Sequence, residues 1–292
     1  MEPIVVEATR GAVVEARHVV HAVAVREGAI ELAAGDPGLV TFLRSSAKPI
    51  QALPVVRARP DLDDEQVALL CASHLAAPEQ VAIVRRILAD APATEDDLEC
   101  GSDPTPIEHN CSGKHAGFLA LCRTEGWATP GYRLLAHPCQ QVMLREVAEA
   151  AEMTQSSLAV GIDGCGVPTF ALPLERAAHA FARLATLDGG TRVLGAMRSH
   201  PDLLRGPVAA DVVLMRALDG WVAKGGAEGI FCAAADRLGI ALKVVDGAFR
   251  PIGAAVAHVL SLLGVDASTL GSNELRNSRG EHVGELRVVA PI

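Results

Sequence analysis

The chain has 292 residues, of which 50% are hydrophobic and 3% aromatic, and its formal net charge is −9. This composition excludes a disordered chain and predicts a core of small aliphatic side chains. The negative charge, without a local run of lysines and arginines, disfavours nucleic acid and acidic membranes, so we expect a small-molecule partner. With no signal-peptide pattern and no run of ~18 apolar residues, a soluble, cytoplasmic protein is expected. Seven scattered cysteines suit a reducing compartment.

The first 40 residues predict a sheet, and the residues after them predict helices. Apolar and polar residues alternate from position 4 to 40 with Gly and Asp-Pro-Gly punctuation, which is typical of an antiparallel meander. Helical periodicity follows, with Pro, Gly or Asp near most boundaries. The predicted helices cover residues 47–57, 64–73, 78–90, 112–125 and 138–151.

The second half returns to strands near its end. Residues 158–162 predict a short buried strand, 174–198 and 208–222 predict helices, and 242–250 predict a hairpin turning at Asp246-Gly247. A helix over 251–263 and a strand over 283–289 follow. Strands at both ends around a helical middle indicate an α+β fold, one domain over 1–292, in which N- and C-terminal strands share an antiparallel sheet.

Ser45 stands three residues before Lys48 at a predicted helix start. One helical turn separates the two, so their side chains can share a face, and a buried neutral lysine can activate a serine hydroxyl. The ordinary alternative is an N-capping serine followed by a solvated lysine.

Three further segments concentrate reactive side chains. Residues 71–74 end in Ser73-His74, which can instead cap a helix. Residues 108–115 place Cys111, Lys114 and His115 at a helix N-terminus, where a cysteine is biased towards the thiolate that binds zinc. This Gly-Lys lacks the upstream glycine of a phosphate-binding loop.

The third segment, residues 161–168, projects Asp163 and Cys165 from a glycine-rich loop. It can form half of a metal site completed by Cys111, although two distant cysteines are more often unrelated core thiols. Lys243 lies on a predicted, mostly buried strand, where a lysine is either an edge charge or needs a partner.

Together these segments resemble the asparaginase II family, the rhizobial-type L-asparaginases. The resemblance rests on five segments in order, covering residues 45–54, 71–74, 110–115, 161–166 and 242–247. It implies a fold similar to serine β-lactamases and penicillin-binding proteins, hydrolysis of L-asparagine through an acyl-enzyme, and a homodimer.

The resemblance also implies roles for individual residues. Two serine–lysine pairs would be catalytic, and a zinc ion would lie beside the nucleophile. The implied catalytic residues are Ser45, Lys48, Ser73 and Lys243; the zinc ligands are Cys111, Lys114 and Cys165; and the substrate-binding residues are Arg44, Asp163 and His115.

Two alternatives remain open from the sequence. One is another serine amidohydrolase of the same fold, acting on glutamine or on a cyclic amide such as a β-lactam, because one methylene is worth only ~1 to 3 kcal/mol in a tight pocket. The other is a zinc-binding homologue without catalysis, although all four residues of the implied serine–lysine pairs are present.

Overall fold

The computed structural model describes residues 1–267, 270 and 273–289. Its strands are β1 (Ile4–Arg10), β2 (Val13–Arg26), β3 (Ala29–Ala34), β4 (Val40–Phe42), β5 (Ala159–Ile162), β6 (Pro168–Pro173), β7 (Val222–Gly226), β8 (Ile230–Ala235), β9 (Leu238–Val244), β10 (Glu274–Arg276) and β11 (His282–Val289). Its helices are α1 (Lys48–Ala58), α2 (Asp64–Leu70), α3 (Pro78–Asp90), α4 (Ser112–Thr124), α5 (Pro138–Ala150), α6 (Leu174–Arg183), α7 (Gly190–Ser199), α8 (Ala210–Ala217) and α9 (Ile252–Leu262).

The main sheet joins both ends of the chain. Its order is β10-β11-β1-β2-β9-β8-β7, with β3 also paired to β2, and every pair is antiparallel. Strand β1 lies between the N-terminal β2 and the C-terminal β11. The predicted α+β fold, with terminal strands in one sheet around a helical middle, is therefore confirmed.

A second, three-stranded sheet has the order β4-β6-β5. Strand β4 belongs to this sheet and not to the N-terminal meander, because it pairs with β6 through Phe42 and Ala171. Strand β5 ends immediately before Asp163, and β4 ends immediately before the segment that holds Ser45. The small sheet thus brings these two distant segments together.

Most predicted helices are present, but the predicted hairpin over residues 242–250 is wrong. Strand β9 forms its hairpin with β8 instead, and Asp246-Gly247 leads from β9 towards α9. The Asp246 carboxylate accepts hydrogen bonds from the Ala248 amide and the His18 ring, which turn the chain into the helix. The helix predicted over 208–222 is the shorter α8, after which the chain enters β7.

The core lies between the main sheet and the central helices. Helix α6 packs on β2, β8 and β9, while α1 packs against α4, α5 and α7. Helix α9 packs near β1, β9 and β11. In the described part of the chain, no helix has the length and apolar character needed to cross a membrane.

Candidate active site

Ser45 and Lys48 lie at the junction between a 3-10 turn and helix α1. The turn covers Arg44–Ala47, and the Lys48 amide donates to the Ser45 carbonyl. Ser45 is half-buried, whereas Lys48 is only 1% exposed. Arg44 has φ of +49°, a left-handed conformation that is strained for a side chain other than glycine. Such strain beside a candidate nucleophile is typical of functional turns.

The buried Lys48 amine contacts Ser73. Its Nζ donates to Ser73 Oγ at 3.1 Å and also to the Ala72 carbonyl. Ser73 follows α2, and its amide donates to the Leu204 carbonyl at 2.7 Å, which fixes its position. The structure therefore links Lys48 directly to the second predicted serine.

The pairing of Ser73 with Lys243 does not occur in this arrangement. Lys243 Nζ donates to the Glu228 and Val244 carbonyls, both at 2.6 Å, and the side chain is partly exposed. Its charged neighbours are Glu228 and Asp246, not the residues around Ser73. Strand β8 lies between β7 and β9. Lys243 is therefore two strands and two positions away from Lys224, the buried lysine of β7, which is roughly 10 Å across the strands and 7 Å along them.

Lys224 on β7 is the lysine that the structure buries near Lys48. It is 0% exposed, its Nζ donates to the Gly225 carbonyl at 2.7 Å, and it lies 3.6 Å from Asp211 Oδ2. Its backbone carbonyl accepts a hydrogen bond from Ser46 Oγ. The sequence analysis missed this residue; its signal was a lysine followed by two glycines within a run of apolar residues.

Glycine at position 226 allows β7 to approach the serine turn closely. A Cβ atom at Gly226 would lie 2.8 Å from the Leu43 carbonyl oxygen and 3.1 Å from the Ser46 amide nitrogen. Real side chains essentially never approach backbone oxygen this closely, so only glycine fits. The strand with Lys224 and the turn with Ser45 are thus packed backbone to backbone.

Burial changes the proton affinity of this cluster. Desolvation lowers the pKa of Lys224 to about 8; Asp211 opposes the shift, while the positive charges of Lys48 and Arg205 add to it. Roughly a tenth of such an amine is neutral at pH 7, against roughly one part in 3,000 for an ordinary lysine. Lys224 can therefore supply a neutral amine near physiological pH.

The three predicted zinc ligands also come together. Lys114 Nζ lies 3.3 Å from Cys165 Sγ, and Cys111 hydrogen bonds to Cys165; all three side chains are buried. The hydrogen bond with Cys165, together with Lys48 and Lys114, holds the pKa of the Cys111 thiol well below its usual value. The described residues contain no group of three or more His, Cys, Asp or Glu side chains arranged to hold a metal ion, so a zinc ion here would need Lys114 as its third ligand.

This donor set fits a zinc ion. Two sulfurs and one nitrogen are ligand types that zinc prefers, and three protein ligands leave a fourth position for water. Burial opposes the charge on Lys114, but the nearby sulfurs of Cys165 and Cys111 raise the pKa of its amine. The same sulfurs that hold the ammonium here would hold the metal, and Lys114 would have to lose a proton to join them as a ligand.

Arg44 and Asp163 form an ion pair between the serine turn and the loop after β5. Arg44 Nε donates to Asp163 Oδ1 at 2.7 Å, and the same oxygen accepts from the Gly164 amide at 2.9 Å. The side chains are 23% and 10% exposed, so both retain access to solvent. The structure thus unites these two predicted substrate-binding residues at one edge of the site.

His115 lies deeper than the other predicted substrate-binding residues. It is 0% exposed, its Nδ1 is 2.7 Å from Tyr132 Oη, and burial holds the pKa of its ring well below the usual value. Its Nε2 has no hydrogen-bond partner among the described residues. The neutral, fully buried ring of this α4 residue lies in the protein interior and does not face the surface.

His74 connects Ser73 to the candidate zinc site. Its Nδ1 accepts from the Ala76 amide, so its Nε2 carries the proton and donates to Ser112 Oγ at 2.8 Å; Ser112 in turn donates to the Ile107 carbonyl. Burial lowers the pKa of His74 to about 4, which keeps the ring neutral. This chain of hydrogen bonds fixes the start of α4, where Cys111 is located.

Ser45, Ser73 and the buried lysines Lys48 and Lys224 belong to this site, and a serine hydroxyl with an amine base is a combination found in one class of hydrolases. Comparison with known proteins agrees with this class. The family model described as L-asparaginase II matches residues 6–288, and the chain belongs to this family. The family identifies the protein as an amidohydrolase. No curated protein sequence matches the chain.

Several solved structures resemble the chain over most of its length at low sequence identity. An octameric penicillin-binding protein homologue from Pyrococcus abyssi shares 11% identity with a TM-score of 0.37, covering 85% of this chain and 74% of its own. A β-lactamase from Mycobacterium bovis shares 14% identity with a TM-score of 0.34, covering 78% and 88%. A probable glutaminase from Bacillus subtilis, complexed with 6-diazo-5-oxo-L-norleucine, shares 13% identity with a TM-score of 0.38, covering 85% and 84%.

Proposed function

We propose that the protein hydrolyses L-asparagine to L-aspartate and ammonia through a covalent intermediate on Ser45. The observation that carries the proposal is the buried Lys48, which lies one turn after Ser45 and donates to Ser73 Oγ at 3.1 Å. Membership of the L-asparaginase II family supplies the substrate class. Lys224 replaces Lys243 as the second lysine of the proposed machinery.

The proposed reaction begins with the lysine pair in a singly protonated state. The neutral amine of Lys48 accepts the Ser45 proton as Oγ bonds to the side-chain carbonyl carbon of asparagine. The neutral form of Lys48 arises when its proton passes through Ser73 to Lys224, whose pKa is lowered by burial so that this amine is partly neutral near pH 7. Backbone amides at the start of α1 stabilise the developing oxyanion.

The intermediate then breaks down in two steps. The amide nitrogen takes the proton from Lys48, the carbon–nitrogen bond breaks, and ammonia leaves behind a β-aspartyl ester on Ser45. Water attacks this ester while a lysine amine accepts its proton. The ester bond breaks, Ser45 Oγ regains a proton, and L-aspartate leaves. Ser73 carries protons between the amines, since it already accepts a hydrogen bond from Lys48.

Arg44 and Asp163 are proposed to recognise the amino-acid end of the substrate. The guanidinium suits the α-carboxylate and the carboxylate suits the α-ammonium group. Their ion pair at 2.7 Å holds both groups at the edge of the site before substrate binds. A substrate carrying both charges can replace this internal pairing with two external ones.

Zinc is proposed to bind Cys111, Lys114 and Cys165. When bound, the metal supplies a fixed positive charge beside the substrate and orders the loop that carries Asp163. The serine and the two lysines supply the nucleophile and the base by themselves. The metal therefore affects substrate affinity more than it affects the chemical steps.

The test is ammonia release from L-asparagine by the wild type, Ser45→Ala and Ser156→Ala, with bound zinc measured on the same samples. Ser156 is exposed, and its hydroxyl lies within hydrogen-bond distance of the Thr154 hydroxyl outside the site, which makes it a matched control. We expect Ser45→Ala to lose at least roughly 10³-fold in turnover and to keep its zinc, while Ser156→Ala matches the wild type. Acid quenching of the wild type during turnover should yield an aspartyl adduct on the peptide that contains Ser45. Wild-type turnover in Ser45→Ala would refute the proposal.

A further inference from the structure

A cavity of about 720 Å³ lies beside β7, with Gly225 on its wall. Lys224 does not line it, although Asp211, which lies 3.6 Å from the Lys224 amine, does. The volume is within the range of sites for small ligands. None of the serine, zinc-ligand or Arg44–Asp163 positions lines it. Its apolar wall includes Leu75, Val208, Phe231, Phe249, Ile252 and Leu286.

Two arginines give the cavity a positive end. The Arg205 guanidinium carbon lies 5.0 Å from the centroid of the Phe249 ring, and within the described part of the chain no carboxylate or hydrogen-bond acceptor pairs with this guanidinium. Its Nη1 lies 3.8 Å from the position that a Cβ of Gly225 would take, which places it beside β7. The one carboxylate on the wall, Asp211, already accepts from the Gly225 and Val212 amides and neighbours Lys224.

The second arginine, Arg250, is held in place by a hydrogen-bonded chain. Its Nε donates to His18 Nε2 at 2.9 Å, and His18 Nδ1 donates to Asp246 Oδ2 at 2.6 Å. His18 is only 5% exposed, so this contact fixes the arginine stem. No carboxylate among the described residues forms an ion pair with Arg250. The cavity thus combines an apolar wall with two guanidinium groups that have no carboxylate partner of their own.

We propose that this cavity binds a small monocarboxylate with an apolar body, its carboxylate on Arg205 and its body against Phe249 and Ile252. A planar guanidinium matches a carboxylate with two parallel hydrogen bonds. A polar ligand without a hydrophobic part would leave the apolar wall wet. A neutral ligand would leave the guanidinium without a partner. Arg205 contributes to the lowered pKa of Lys224, but no residue that would contact this ligand takes part in a step proposed for Ser45.

The test is calorimetric titration of the full-length protein with sodium phenylacetate. We expect saturable binding with a Kd of roughly 0.1–1 mM, as suits a ligand of this size. Acetate, which has the charge without the ring, and 2-phenylethanol, which has the ring without the charge, should each bind at least tenfold more weakly. Equal binding of 2-phenylethanol, or no heat from phenylacetate up to 10 mM, would overturn the proposal.

Two variants locate the binding. Arg205→Gln should weaken phenylacetate binding roughly tenfold or more, whereas Arg85→Gln, an exposed arginine outside this cavity, should not. Gly253→Leu should abolish binding by filling the cavity: Gly253 lines it, and a Cβ there meets no atom within 4 Å. Leucine also favours the helix more than glycine does, so this variant should fold even if Arg205→Gln does not.

A third variant excludes binding at the serine site. Ser45→Ala should bind phenylacetate as the wild type does. Loss of binding in Ser45→Ala, or wild-type binding in Gly253→Leu, would assign the ligand to another site and overturn the proposal.

Discussion

Replacement of Lys224 and of Lys243 by methionine separates the two candidates for the second active-site lysine. Methionine keeps a long, flexible side chain but removes the amine. Lys224 is fully buried near Lys48, whereas Lys243 donates only to two backbone carbonyls at a partly exposed position. We expect Lys224→Met to lower kcat/KM for asparagine by roughly 10²- to 10⁴-fold, as removal of an acid–base group does. Lys243→Met should change it by less than about threefold.

The pH dependence gives a second, sharper result. The pKa of Lys224 near 8 predicts that wild-type kcat/KM rises with pH up to about 8, because the neutral amine is the active form. Lys224→Met should lose this rise, and Lys243→Met should keep it. The assay measures ammonia release at low asparagine concentration from pH 6 to 10. We expect the wild type and Lys243→Met to give identical pH profiles.

A folding control is needed because Lys224→Met leaves the Asp211 carboxylate buried without its cation. Breaking such a pair costs about 3 to 5 kcal/mol. The double variant Lys224→Met/Asp211→Asn removes both charges and keeps the acceptor for the Gly225 amide, so denaturant melts should show it at least as stable as Lys224→Met alone. If Lys243→Met reduces kcat/KM as much as a folded Lys224 variant does, the assignment of Lys224 is refuted.

Three further outcomes follow from the site. Asp163→Ala should raise KM for asparagine roughly tenfold with a smaller effect on kcat, because it removes one half of the proposed substrate clamp; an unchanged KM in steady-state ammonia assays would contradict that role. Zinc removal by a chelator should raise KM and leave measurable turnover; abolished turnover with an unchanged circular dichroism spectrum would make the metal essential. Gly226→Ala should reduce kcat/KM roughly tenfold or more, because its Cβ would lie 2.8 Å from the Leu43 oxygen, whereas Gly195→Ala on α7, with no atom within 4 Å, should keep wild-type activity in the same assay.

The sequence predicted elements whose ends are set by local chemistry. Helix α3 has the predicted bounds because Pro78 suits a first helical position and the apolar spacing continues to its end. The hairpin at Asp246-Gly247 failed for the opposite reason: the Asp246 carboxylate pairs with His18, 228 residues away, and this distant contact overrides the local turn preference. Strands β6, β7 and β8 are almost fully buried, and their apolar and polar residues do not alternate. The sequence therefore showed no two-residue hydrophobic period from which to predict these strands.

For the candidate site too, the sequence predicted local patterns but not contacts between distant segments. The serine and lysine spacing at the start of α1 and the cysteine–lysine segments are local patterns, and the sequence predicted both groups. The identity of the second lysine depends on strand register, since Lys224 is opposite Cys232 and Ala241 while Lys243 is opposite Ile230. The two-residue period of a strand places both lysines on one face of the sheet. It does not show which of the two lies next to the helix that carries Lys48.

The burial that lowers the pKa of Lys224 also destabilises the folded protein. Lowering an amine pKa from 10.5 to about 8 corresponds to about 3 kcal/mol of destabilisation at a pH where the folded and the unfolded chain are both protonated. The destabilisation is complete below pH 8, where both states hold the proton. It decreases as the pH rises to about 10.5, because the folded chain has already lost the proton that the unfolded chain still holds. An apolar residue at this position, with a neutral residue in place of Asp211, would avoid that destabilisation, and the strand around it already packs apolar side chains. A lysine there is consistent with a chemical role, because the neutral amine it supplies beside Lys48 is what a serine nucleophile requires at neutral pH.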